Sequence, residues 1–173
     1  MPEKTATRIV ADVMLAKLAR WLRLFGIGVE NPRYTDDYRL MMYAKRTRSI
    51  LLTSDRALHA RSVKNGVRSL LVENAPLEAQ LAYVTGSLRL SPRIDEKICP
   101  VCNSPLRKIS AESASRYTTK KIAEEYDVFY YCRKCGKVYW RGSHLKNIEA
   151  TLKRVLSYRK SHAQWLPFPA RIR

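Results

Sequence analysis

Two cysteine pairs, Cys99-Pro-Val-Cys102 and Cys132-Arg-Lys-Cys135, restrict the second half of this chain more than any other feature. Four thiolates spaced in this way suit one tetrahedral ion, because each two-residue gap lets a single tight turn present two sulfurs. Asn103 after the first pair and Gly136 after the second tolerate the left-handed backbone that such knuckles need. The 29 residues between the pairs exceed the usual spacing of about 15–20, which predicts a longer hairpin between the knuckles. A reducing compartment and metal-like spacing favour Zn2+ over disulfides. Four thiolates leave no position for a catalytic water, so the zinc is expected to be structural.

The first half has a different texture. A short apolar strand, Arg8–Val10, ends at Asp12. Leu15, Leu18, Leu22 and Phe25 then recur at helical spacing within Met14–Phe25, and Gly26 stops the helix. Further helices are predicted at about Tyr38–Arg46, Ala57–Lys64 and Pro76–Val84, and strands at Ser49–Thr53 and Val67–Val72. Alternating strands and helices argue for an α/β fold, a parallel sheet with helices on both faces. The expected organisation is an α/β domain over residues 6–90, a linker at 91–97 within the mixed stretch 86–97, and a ribbon with a C-terminal helix over 98–158. That last helix, His144–Tyr158, carries Leu145, Ile148, Leu152, Val155 and Leu156 on one stripe. A basic tail, 159–173, lacks periodicity and is expected to order only on a partner.

Charge restricts the partner. The net charge is +18; residues 1–90 carry 15 basic minus 8 acidic side chains, or +7, and the remainder 18 minus 7, or +11. Such a field attracts polyanions, with nucleic acid the usual partner and an anionic membrane surface the rival. No apolar run approaches the roughly 20 residues needed to span a bilayer, and the N-terminus has no secretory apolar stretch. A cytoplasmic location, or a nuclear one, is the expectation.

Four of the eight acids in residues 1–90 fall where sites form in parallel sheets. Asp12 and Asp55 follow apolar strands, and Asp36 and Asp37 precede a helix. Carboxylates gathered in a basic protein suit a hard cation, Mg2+ or Mn2+, held by Asp12, Asp37 and Asp55. Helix capping by Asp36 and Asp37 and turn formation at Asp55 are the alternative reading of the same positions.

Several runs together resemble the Mut-seven C-terminal RNase family (Mut7-C). They are Ala11-Asp-Val-Met-Leu-Ala-Lys-Leu-Ala-Arg-Trp-Leu-Arg, Asp36-Asp37, Leu51-Leu-Thr-Ser-Asp-Arg, Cys99-Pro-Val-Cys-Asn-Ser-Pro-Leu and Cys132-Arg-Lys-Cys-Gly-Lys-Val-Tyr-Trp-Arg-Gly-Ser-His. The resemblance covers roughly residues 8–150 in order. It implies a PIN-like nuclease domain joined to a zinc ribbon, mostly prokaryotic, that cleaves RNA endonucleolytically with a metal. Asp12 and Asp55 match the family's strand-end acids, and Asp36 or Asp37 its middle acid, with Thr53 and Ser54 in support. Ser54 stands where that motif carries a basic residue.

Lys17, Arg20 and Arg23 lie one helix after Asp12, and together with Arg56 are expected to hold RNA near the acids. Arg133, Lys134, Lys137 and Arg141 surround the knuckles among Tyr130, Tyr131, Tyr139 and Trp140, where cations meet phosphates and rings stack bases or build the ribbon's core. Trp21 is expected in the core, and His144 at a helix start. His59 and His162 carry no usable pattern. The expected function is a metal-dependent ribonuclease acting on RNA. The alternatives are a non-catalytic RNA-binding or ribosome-associated factor on rRNA, and a DNA-binding zinc ribbon protein.

Overall fold

The computed structural model describes residues 7–32 and 36–162. Strands β1 (Ile9–Ala11), β2 (Ile50–Thr53) and β3 (Ser69–Leu71) form a parallel sheet in that order, with Ala11 beside Leu52 and Thr53 beside Leu71. Val10 also bridges in parallel to Glu30, so the segment around Glu30 extends the sheet beyond β1. The expected α/β architecture with a parallel sheet is present.

Alternation along the strands sends side chains to two cores. Ile9, Ala11, Ile50 and Leu52 face a larger cluster with α1 (Ala16–Leu24) and α4 (Leu77–Ser87). Val10 and Leu51 face the opposite side, where Leu40, Met41 and Ala44 of α2 (Asp37–Thr47) and Leu58 of α3 (Arg56–Lys64) cover them. A 3-10 turn, Val13–Leu15, connects β1 to α1, so the α-helix begins two residues later than the apolar spacing predicts. Pro76 occupies the N-cap of α4, and that helix runs three residues past Val84.

The second part contains an antiparallel sheet of β4 (Arg107–Ile109), β5 (Phe129–Tyr131) and β6 (Val138–Trp140). The long gap between the cysteine pairs is not a simple hairpin. It holds two short helices, α5 (Ala111–Ala114) and α6 (Lys120–Glu125), capped by the Ser110 and Thr119 hydroxyls. Such caps bring otherwise unpartnered first-turn amides into hydrogen bonds.

The final helix, α7 (His144–Ser161), extends three residues beyond Tyr158 and lies along α4, with Val155 buried in the larger core of the first sheet. The connecting residues 88–97 are packed too. Gly26 adopts a left-handed φ of 72°, and a Cβ there would stand 2.9 Å from Cβ of Asp95. Residues 163–173, most of the expected tail, lie outside the described residues.

Candidate functional site

All three parallel strands end at the same edge, and that edge gathers the chemistry. Asp12 directly follows β1, its amide donating to Leu52 O at 2.9 Å. Continuing the register sets Asp12 beside Thr53, whose hydroxyl donates to Oδ2 of Asp12 at 3.0 Å. The same hydroxyl accepts from the amide of Asp55 at 3.0 Å. Thr53 is fully buried and Asp12 is 7 % exposed. One side chain thus ties the two strand-end acids together.

Asp55 also caps α3, its Oδ1 accepting from the amides of Ala57 at 2.6 Å and Leu58 at 2.9 Å. Each acid therefore commits one oxygen to the protein. Asn31 Nδ2 donates to the carbonyls of Ala11 at 2.8 Å and Asp12 at 2.9 Å and fixes the strand exit that aims Asp12. Beside this edge opens a cleft of about 510 Å³, lined by Lys17, Ser54, Glu73 and Asn74 among others.

Asp36 and Asp37 stand apart from that pair. Asp36 caps α2 through the amides of Tyr38 and Arg39, and Asp37 pairs with Arg61 at 3.5 Å. Arg61 lies five residues into α3 from Arg56, about 7.5 Å along the axis at 1.5 Å per residue. Among the described residues, the four aspartates do not converge as a group of potential ligands.

The four cysteines do converge. Their sulfurs all lie within 4.8 Å of one another, Cys99 and Cys135 at 3.6 Å and Cys102 and Cys132 at 3.3 Å. A disulfide would need about 2.05 Å, whereas a zinc–sulfur distance of about 2.3 Å gives a tetrahedral edge of about 3.8 Å. The cluster is thus consistent with zinc. Two matching turns build it: Asn103 N donates to Cys99 O and Gly136 N to Cys132 O, both at 2.9 Å. Asn103 has φ 63° and Gly136 φ 70°, the left-handed conformations expected of these positions. Burial pushes the Cys132 thiol up to about 12. Burial also raises Cys102, but hydrogen bonds from Ser104, Cys132 and Cys99 together outweigh it and bring it to about 6.

With both halves of the chain in place, a comparison with known families decides their kinship. The model of the Mut7-C RNAse domain matches residues 7–152. This chain belongs to the Mut7-C RNAse domain family. Neither a curated protein nor a solved structure matches it. The Mut7-C match spans the acid edge, the cysteine cluster and the first half of α7, and it points to a nuclease, RNA-related function with RNA as the substrate class. No helix among the described residues is long and apolar enough to cross a membrane.

Within this Mut7-C chain, one expected RNA contact is corrected. Arg23 is 4 % exposed, so it cannot meet a phosphate. Its Nε donates to Val29 O at 2.7 Å, and its Nη1 to Pro100 O at 3.2 Å and Val101 O at 3.0 Å. Burial lowers its pKa, and the nearby Cys102 and Cys99 oppose that shift. Arg23 is a clamp between α1 and the first knuckle, and Asn103 Oδ1 completes it by accepting from Val29 N at 2.9 Å.

The other expected cations are exposed. Lys17 and Arg20 lie on the outer face of α1. Arg56 pairs with Glu73 at 3.0 Å, and Arg141 with Glu96 at 2.7 Å. Among the described residues, Arg133, Lys134 and Lys137 form no salt bridge. His144 opens α7, and Trp21 is half-buried against the larger core.

Sequence reading missed Asn31 and Glu73. A polar residue two positions after the apolar Ile27-Gly-Val29 run, and an acid two positions after β3, were the available signals.

Proposed function

We propose that this chain is a PIN-like, Mg2+- or Mn2+-dependent endoribonuclease of the cytoplasm, with its four cysteines holding a structural zinc ribbon. The observation that carries the reading is the Asp12–Thr53–Asp55 arrangement at the strand-end edge beside an open cleft. Asp12 is nearly buried at the strand-end edge of a chain of charge +18, and Thr53 occupies only one of its two carboxylate oxygens.

The donor set fits a hard cation. Oδ1 of Asp12 and Oδ2 of Asp55 are the oxygens left over after Thr53 and the α3 amides take their partners. Magnesium is commonly held by one or two carboxylates while keeping several waters. Asp12 and Asp55 would therefore be the direct ligands, while Asp36 and Asp37 remain committed to the α2 cap and to Arg61. Such an ion, when bound, supplies an activated water and charge neutralisation at the scissile phosphate.

The chain's own contribution is positioning. Thr53 holds Asp12, Asn31 holds the strand exit, and Lys17 offers a cation to a backbone phosphate in the cleft. Ser54 lines the same cleft. The products would carry 5′-phosphate and 3′-hydroxyl ends.

The separation of Asp36 and Asp37 from the strand-end pair favours a second reading, a non-catalytic RNA-binding factor on rRNA or the ribosome. Incubating the purified chain with single-stranded and structured RNAs, with Mn2+, Mg2+ or chelator, separates the two. The nuclease reading expects metal-dependent cleavage that Asp12→Asn abolishes while RNA binding persists. Tight binding without cleavage under every condition would overturn it.

A further inference from the structure

A second groove, of about 500 Å³, lies between α1 and the antiparallel sheet. Lys17, Arg20, Trp21, Trp140, His144 and Asn147 line it among others. Lys17 also lines the strand-end cleft, so the groove and the cleft meet around one helix. Lys17 and Arg20 are exposed and three residues apart, on one side of α1. Neither forms a salt bridge among the described residues.

The aromatic side of the groove is held firmly. The Trp140 ring is backed by Phe129 at 6.3 Å and Tyr126 at 6.4 Å, and the His144 ring meets it edge-on at 6.1 Å and 85°. The chain passes close over its edge at Gly142, where a Cβ would stand 2.7 Å from the indole Nε1. This position tolerates only a glycine without displacing the ring, and His144 follows two residues later.

Rings beside exposed cations match the two faces of a nucleotide, a flat base and a charged phosphate. A base can reach these rings only when it is splayed from its stack, which excludes a regular duplex. We propose that this groove is a single-stranded RNA subsite. Bases flanking the strand in the cleft stack against Trp140 and His144, and their phosphates meet Lys17 and Arg20. The continuation of that strand into the cleft rests on the nuclease reading, but binding in the groove does not.

The test uses the full zinc-loaded chain in buffer without added Mg2+ or Mn2+, to prevent cleavage, and labelled single-stranded oligoadenylate as the probe. Affinity is measured across a salt series for the parent, for Lys17→Ala/Arg20→Ala and for His144→Ala, with thermal midpoints as the folding control. Each phosphate contact on a single strand contributes about 0.7 to the slope of log affinity against log salt. The double variant should therefore lose about 1.4 from that slope. His144→Ala should bind about tenfold more weakly, the effect of one lost base stack. Parent-like affinity and slope in both folded variants would overturn the groove. A parent that binds through the groove but never cuts RNA would sink the nuclease reading and leave this one standing.

Discussion

The hydroxyl of Thr53 donates to Oδ2 of Asp12 at 3.0 Å while accepting the amide of Asp55. Parallel register makes this possible, because Asp12 and Thr53 are the next partners after Ala11 and Leu52. Thr53→Val keeps the shape and removes both bonds. If the pair of acids is catalytic, a misplacement of about 1 Å costs roughly a hundredfold in rate. Cleavage by Thr53→Val should fall by about ten- to a hundredfold, while Thr53→Ser should stay near the parent. Equal rates for the two variants would separate Thr53 from the chemistry.

Arg23 gives a prediction opposite to that for a phosphate contact. Arg23→Leu leaves the carbonyls of Val29, Pro100 and Val101 without this donor. An unsatisfied buried polar group costs about 1–3 kcal/mol, and each kcal/mol shifts the melting temperature by about 2–4 °C in a chain of this size. Differential scanning calorimetry should register a fall of several degrees. The salt slope of RNA binding should not change. A slope lowered by about 0.7 in a stable variant would return Arg23 to the RNA surface.

Arg23 also marks where sequence reading stops. Its spacing from Lys17 and Arg20 puts all three in one helix, yet burial depends on the first knuckle docking there, some 77 residues away. The strands of the first sheet, their parallel direction and the knuckle turns at Asn103 and Gly136 were legible from alternating elements and turn residues along the chain. The strand-end positions of Asp12 and Asp55 were legible for the same reason. What Thr53 does for both acids follows from register between strands, and Asn31 acts through a loop that no periodicity reveals. Helices α5 and α6 were hidden because each is only a turn or so long, too short for a repeat to stand out.

The cysteine cluster predicts one zinc per chain. Replacing Cys132, which is fully buried, with Ser removes one of four ligands from a closed site. Metal analysis should find zinc in the parent and a large loss in the variant. Hydrogen exchange should speed up at the amides of β4, β5 and β6, where the knuckles tie the sheet together. Amides of β2, between β1 and β3 and over its own core, should remain protected. Uniform loss of protection in both sheets would show that the two parts unfold as one unit.

Acid stability offers a test of how α7 is fastened to α4. Glu78, in the first turn of α4, accepts from Arg154 of α7 at 3.0 Å. Its own backbone amide lowers its pKa most, burial opposes, and Arg154 adds to the lowering. A folded-state value below the unfolded one, about 4.3, makes the carboxylate stabilising. That stability is fully present above the unfolded value and is lost as pH falls through the folded one. Glu78→Gln should therefore be less stable than the parent at neutral pH, by about 0.5–1 kcal/mol for a partly exposed pair. Urea titrations at decreasing pH should bring the two curves together below about pH 4. In an Arg154→Gln background the effect of Glu78→Gln at neutral pH should shrink without vanishing, because the helix amide acts independently of Arg154. A constant gap at every pH would mean that Glu78 stabilises α4 through packing and not through its charge.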